Sequence, residues 1–188
     1  MSTLADPASP PSPAAAKLPD AISAASILRA LKTAGVEYVI TLPDITSSQS
    51  VLAAIEQDAD FRHIRVCKED EAFGIASGLS YCDKRALILI QITGLFDAMN
   101  ALKLNGLEYG MPLCAMVGLI DKEPDRKPRD SANFTVRITE PVLDAMGATH
   151  ALIETEADAT LIAPAIEEAY RVSKPTLLLL GRRPRPTL

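Results

Sequence analysis

The sequence predicts an α/β protein: a single open, mostly parallel six-stranded sheet with helices on both faces. Three observations carry this. Short apolar, β-branched runs alternate about six times with amphipathic segments, the pattern of linked β-α-β units. The run ALILIQ at residues 86–91 has no polar alternation, as expected of a strand covered on both sides. A length of 188 residues suits one domain, and 48% hydrophobic with 23% charged residues is enough to build a packed core.

Residues 1–19 hold five of the 14 prolines among Ala and Ser, a composition with little to bury, and are expected to form a disordered arm. The α/β domain is expected over 20–188. Asp20 is the expected N-cap of a first helix whose inner face is Ala24, Ile27, Leu28 and Leu31, with Gly35 as its left-handed cap. A buried strand follows over 36–42, broken by Pro43-Asp44. The pattern then predicts a helix over 49–57, a strand over 64–67 and an Ala- and Gly-rich helix over 69–81. After the 86–91 strand come a helix over 95–107 and a strand over 113–117. A polar loop over 119–136 leads to a helix over 138–146 that ends at Gly147, then a strand over 150–153. Last come a helix over 164–172, with Ala165, Ile166 and Ala169 inward, and a strand over 176–180. Strand order is not legible from this pattern.

Composition and missing motifs exclude several function classes. A net charge of −5, with 4% aromatics and no Trp, gives no basic face or stacking platform for nucleic acid and no attraction to anionic lipid. No apolar run approaches the roughly 20 residues of a membrane span, and the N-terminus lacks the basic start and apolar stretch of an export signal. Cys67, Cys82 and Cys114 match no zinc or redox spacing and read as reduced thiols of a cytoplasmic protein. Neither G-x-G-x-x-G nor G-x-x-x-x-G-K-[ST] occurs. His63 and His150 lack metal-ligand spacing and read as sheet-edge or surface residues. In the loop 121–130, four cations and four acids cancel, so it reads as a solvated loop.

In an open parallel sheet, sites form beyond the carboxyl ends of the strands. Three segments fall there: Pro43–Ser48, Lys68–Glu71 and Gln91–Leu95. Each has a bland reading. Glu69, Asp70 and Glu71 complement a helix dipole; Asp44 is a turn residue; Gln91 and Thr93 cap the following helix.

The run Lys68-Glu69-Asp70-Glu71-Ala72-Phe73-Gly74-Ile75-Ala76-Ser77-Gly78-Leu79 resembles the pyrimidine-binding domain of thiamine-diphosphate enzymes, and more narrowly the alpha subunits of sulfopyruvate and phosphonopyruvate decarboxylases. Residues 39–44, 91–102, 138–146 and 174–180 extend the resemblance in the same order across about residues 20–183. It implies that Glu69 is catalytic, hydrogen-bonding a ring nitrogen of the cofactor's aminopyrimidine. The imino form of that ring then deprotonates the thiazolium carbon, which attacks a 2-oxo acid and takes up the electrons as carbon dioxide leaves. The resemblance also makes Asp44, near the reacting substrate, a second catalytic residue, and makes Gln91, Thr93 and Gly94 a cofactor-binding loop that meets the cofactor or substrate.

The resemblance implies thiamine diphosphate as cofactor, with Mg2+ held mainly by a second domain bearing Gly-Asp-Gly and a downstream Asn. This sequence contains no Gly-Asp-Gly. A separate diphosphate-binding beta subunit is therefore expected, with homotypic pairing to a second alpha chain around a twofold axis. The implied substrate is sulfopyruvate- or phosphonopyruvate-like, or a less charged 2-oxo acid, since Gln91-Ile92-Thr93-Gly94 stands where relatives often carry Gln-Ser-Ser-Gly. A carboligase half and a non-catalytic regulatory or scaffold relic are the alternatives.

Overall fold

Strand residues that are apolar at every position need cover on two sides, and the computed structural model, which describes residues 19–186, supplies it. The strands are β1 (Tyr38–Thr41), β2 (Arg62–Arg65), β3 (Ala86–Gln91), β4 (Cys114–Gly118), β5 (Thr149–Ile153) and β6 (Thr176–Leu180). They form one sheet in the order β2-β1-β3-β4-β6-β5, and every pairing is parallel. The expected arm lies, apart from Pro19, outside the described residues.

Side-chain alternation sorts the core into two layers. Leu87, Leu89, Cys114, Met116, Leu178 and Leu180 face one side, under α1 (Ala24–Thr33), α2 (Ala53–Glu56) and α7 (Ala159–Val172). Ile88, Ile90, Ala115, Val117, Leu177 and Leu179 face the other, under α3 (Glu69–Tyr81), α4 (Ile92–Asp97) and α6 (Phe134–Met146). Of the four inner strands, β4 and β6 are buried throughout and β3 at every position but Gln91, so the absence of polar alternation in β3 has its cause in this double cover.

Helix α1 buries the expected stripe of Ala24, Ile27, Leu28 and Leu31. Its N-cap is Ser23 rather than Asp20: the Ser23 hydroxyl accepts from the Ser26 N–H, while residues 21–23 run extended beside Arg185 and Thr155. Gly35 and Gly147 both take positive φ after their helices. The segment read as a helix over 49–57 is α2 preceded by π-helical turns over Ser48–Leu52. The segment read as one helix over 95–107 starts at once after β3 as α4, continues as a short α5 (Met99–Ala101), and ends in π-helical turns over Leu102–Glu108. There Gly106 packs so closely that a Cβ would lie 3.0 Å from the Pro175 ring.

The loop over 119–136 is not merely a solvated connection. It holds a 3-10 turn over Pro128–Asp130 and the first turn of α6, capped by the Asn133 side chain. Helix α7 likewise begins five residues before Pro164 and absorbs that proline on its exposed side. His63 and His150 lie on the two edge strands, as expected.

Candidate functional site

The carboxyl ends of β1, β2 and β3 bring the three expected segments to one rim of the sheet. Helix α3 opens there with three acids, and the fold gives each a different job. Glu71 is the capping acid: its carboxylate accepts from the Cys67 N–H at 3.0 Å and the Lys68 N–H at 3.3 Å. Asp70 accepts from the Glu71 N–H and faces the Lys68 ammonium at 3.8 Å. Glu69 makes no hydrogen bond or ion pair among the described residues, although it is half-buried. The dipole reading therefore belongs to Asp70 and Glu71, and Glu69 is left with a free carboxyl.

Where that carboxyl lies is set by Gly94. The Glu69 side chain crosses directly over the Gly94 Cα, and a Cβ at residue 94 would occupy the space of the Glu69 γ carbon and carboxyl. Gly94 is itself fixed, buried in α4 between Ile92 and Leu95, both anchored in the second core layer. The first turns of α3 and α4 thus interlock. Next to them the Thr93 hydroxyl donates to Gln91 Oε1 at 3.2 Å, with Gln91 half-buried and Thr93 exposed.

Asp44 is 3% exposed. Its carboxylate accepts from the Thr46 N–H at 2.6 Å, the Ser47 N–H at 2.9 Å and the Ser47 hydroxyl. It also approaches Gly118, where a Cβ would lie 2.8 Å from Asp44 Oδ1. Asp44 thus ties its loop across the end of β3 to the end of β4, the more so because Gly118 pairs with Gln91. Pro43, Asp44, Ile45, Ser48, Gln49 and Gln91 line one depression. The Ser48 hydroxyl at its wall is buried with no hydrogen-bond partner among the described residues, and Ile45 stands 56% exposed at the rim. The orphaned hydroxyl and apolar rim of this depression suit a ring that is apolar on its faces and polar at its edge; the free Glu69 carboxyl lies outside its lining, over Gly94, three residues on from Gln91.

Asp44→Ala would orphan two buried N–H groups. It is expected to cost about 2–3 kcal/mol, read as a drop in Tm of roughly 5–10 °C in a thermal melt. Asp44→Asn, which keeps an acceptor oxygen, should recover part of the loss.

A second feature at this edge has no signature in the sequence. Lys122, counted there as one of four loop cations, has a fully buried side chain with Nζ 2.6 Å from Glu154 Oε1 and donating to the Glu123 carbonyl at 2.9 Å. Glu123 accepts from the Ser131 hydroxyl at 2.6 Å and the Ala132 N–H at 2.8 Å, and these bonds hold its carboxyl down at about 2. A net charge of zero concealed a loop bolted down by individual pairs.

A cavity of about 990 Å3 lies elsewhere, between α1 and α2. Its one lysine, Lys32, already bridges Asp58 and Asp60 at 2.7 Å each, so it has no free reactive group to offer. Among the described residues no three His, Cys, Asp or Glu side chains cluster as a metal site, and no helix is long and apolar enough to cross a membrane.

The pattern that defines the thiamine pyrophosphate enzyme, N-terminal TPP binding domain, matches residues 23–128. The chain is 28% identical over 95 residues to the sulfopyruvate decarboxylase subunit alpha of Methanothermobacter thermautotrophicus, covering 50% of this chain and 57% of that one. It is 28% identical over 156 residues to the Methanocaldococcus jannaschii subunit of the same name, covering 82% and 90%. Against that of Methanococcus maripaludis it is 26% identical over 157 residues, covering 82% and 92%.

Proposed function

The chain belongs to the family of thiamine pyrophosphate enzyme N-terminal TPP binding domains, and from that premise we propose that it is the alpha subunit of a two-chain thiamine-diphosphate-dependent decarboxylase of a 2-oxo acid. The observation that carries this reading is the free Glu69 carboxyl, held over Gly94 at the carboxyl edge of the sheet. The relatives named as sulfopyruvate decarboxylase alpha subunits support decarboxylation as the reaction and a second chain as the partner.

When bound, thiamine diphosphate would supply a nucleophilic carbon and an electron sink for decarboxylation. Glu69 holds a proton at its carboxyl against a ring nitrogen of the aminopyrimidine. The interlocked turns of α3 and α4 keep that carboxyl in place without a competing partner in the chain. The loop expected at Gln91, Thr93 and Gly94 is instead the end of β3 and the first turn of α4, and these residues face the cofactor from there. Asp44, with its oxygens occupied by its own loop, acts as a positioning residue for the wall that also carries Ser48 and Ile45.

The relatives' names, subunit alpha, support a partner beta subunit as the holder of the diphosphate and its Mg2+. Helix α3 presents Ala72, Phe73 and Ala76 to its own sheet. Gly74 and Gly78 have open space where a Cβ would stand, and Tyr81 is 76% exposed, which suits close packing of another chain, including a second alpha chain. The cytoplasm is the compartment that keeps the exposed thiols of Cys67 and Cys82 reduced.

The test is to isolate the chain from its native host with whatever binds it, and to assay carbon dioxide release from a panel of 2-oxo acids. The expected result is a partner carrying Gly-Asp-Gly and a downstream Asn, and turnover that needs both thiamine diphosphate and Mg2+. A chain that comes down alone, or an assembly that releases no carbon dioxide from any 2-oxo acid, overturns the reading.

A further inference from the structure

Next to the site just described, the same edge of the sheet carries a cleft of about 410 Å3 at the ends of β4 and β6. Its lining includes Thr46, Asp121, Lys122, Gly181, Arg182 and Arg183. On a chain of net charge −5, a concave surface with three cations is distinctive.

The three cations are not equivalent. Lys122 is neutralised by Glu154, whose carboxyl lies across Gly181, where a Cβ would overlap it. That pair forms the floor. Arg182 donates through Nη1 to the Pro19 carbonyl at 2.7 Å. Arg185, just outside, is spent on the Ala21 carbonyl and Glu156. Arg183 is exposed, lines the cleft, and makes no hydrogen bond or ion pair among the described residues. Asp121 is the one acid on the lining, so the arginines leave a surplus of positive charge.

Position gives this surplus a use. Thr46 lines the cleft, and its N–H is bound by Asp44 of the neighbouring depression. Gly118 at the end of β4 pairs with Gln91 on one side and Leu180 on the other. With strands about 4.8 Å apart, the cleft between β4 and β6 lies roughly 7 Å along the edge from the end of β3. Nearer the Glu69 carboxyl, Lys68 faces Asp70 at 3.8 Å.

We infer that this cleft is an anion subsite in which the Arg183 guanidinium receives a second acidic group of the substrate, a carboxylate, sulfonate or phosphonate at the far end of a short 2-oxo acid. The inference rests on the decarboxylase reading and adds to it the residue that selects among 2-oxo acids by their far end. A guanidinium fits because its planar fork binds an oxyacid through two parallel N–H bonds. The cofactor's diphosphate is the other oxyanion in such an enzyme, and the experiment separates the two.

The full chain is assembled with its partner, and steady-state kinetics are measured with pyruvate, oxaloacetate and sulfopyruvate. For Arg183→Gln, KM for the two doubly acidic substrates is expected to rise roughly 10- to 100-fold, as for a lost charged hydrogen bond. Pyruvate kinetics and the concentration of thiamine diphosphate giving half activation should stay unchanged. Arg183→Lys, which keeps charge but not the fork, should fall between. As a readout independent of turnover, calorimetry of the full chain with sulfoacetate should show binding that the Gln variant loses. Equal effects on pyruvate and diacids, no effect on either, or an altered thiamine diphosphate requirement each overturn the subsite. Failure of the underlying decarboxylase reading shows separately, as a wild-type assembly that turns over none of the three acids.

Discussion

Glu69→Gln is expected to lower turnover at least about 100-fold, the scale of a lost acid–base group, while leaving melting temperature and partner assembly unchanged. The reason both halves hold together is that Glu69 has no partner among the described residues, so an amide of the same shape costs the fold nothing. The helix start stays capped by Glu71 and Asp70. Glutamine can still accept or donate a hydrogen bond, but it cannot exchange a proton. Glu71→Gln is the control: it weakens a cap, costing about 1 kcal/mol, and should leave turnover close to wild type. Carbon dioxide release set beside a thermal melt checks both variants. Near-normal turnover in Glu69→Gln would remove Glu69 from the mechanism.

Gly94→Ala should separate activity from stability in the same sense, through the neighbouring residue. The added methyl would claim the space of the Glu69 carboxyl, and since residue 94 is buried in α4 between two core anchors, it is the Glu69 side chain that must move. Turnover is expected to fall about as far as in Glu69→Gln. Alanine is the better helix former by about 1 kcal/mol, so the melt should hold steady or rise. The double variant should be little worse than either single one, because both act on one carboxyl. Additive losses, or full activity in Gly94→Ala, would contradict the geometry in which Glu69 lies over Gly94.

How much of this was legible in the sequence depends on how local the signal is. The bounds of β3, α3 and β6 were readable to the residue, because each is an unbroken run with sharp ends, such as ALILIQ after Lys84-Arg85. The start of α1 was misplaced onto Asp20 because Ser23 gains its capping role only after residues 21–23 have paired with Arg185 and Thr155. Pro164 hid the beginning of α7, since proline signals a start far more often than an interior position. In the candidate site, composition could mark three acids at a helix start but could not say which one is unpaired. That follows from contacts with residues 67, 68 and 94. The buried Lys122 pair was illegible for the same reason: Glu154 is 32 residues away and arrives through a different strand.

The all-parallel sheet has one more consequence, and it concerns time. No two neighbouring strands are joined by a hairpin, so every ladder closes only after a whole crossover has been threaded; Thr41 meets Leu89 across 48 residues. Topologies made of such distant pairings fold slowly, with apolar strand edges open while they wait. The rim that holds Glu69 and Gly94 is framed by β1, β2 and β3, but Gly94 is fixed only once β4 and α6 have packed on α4, so the site matures with the second core layer and not ahead of it.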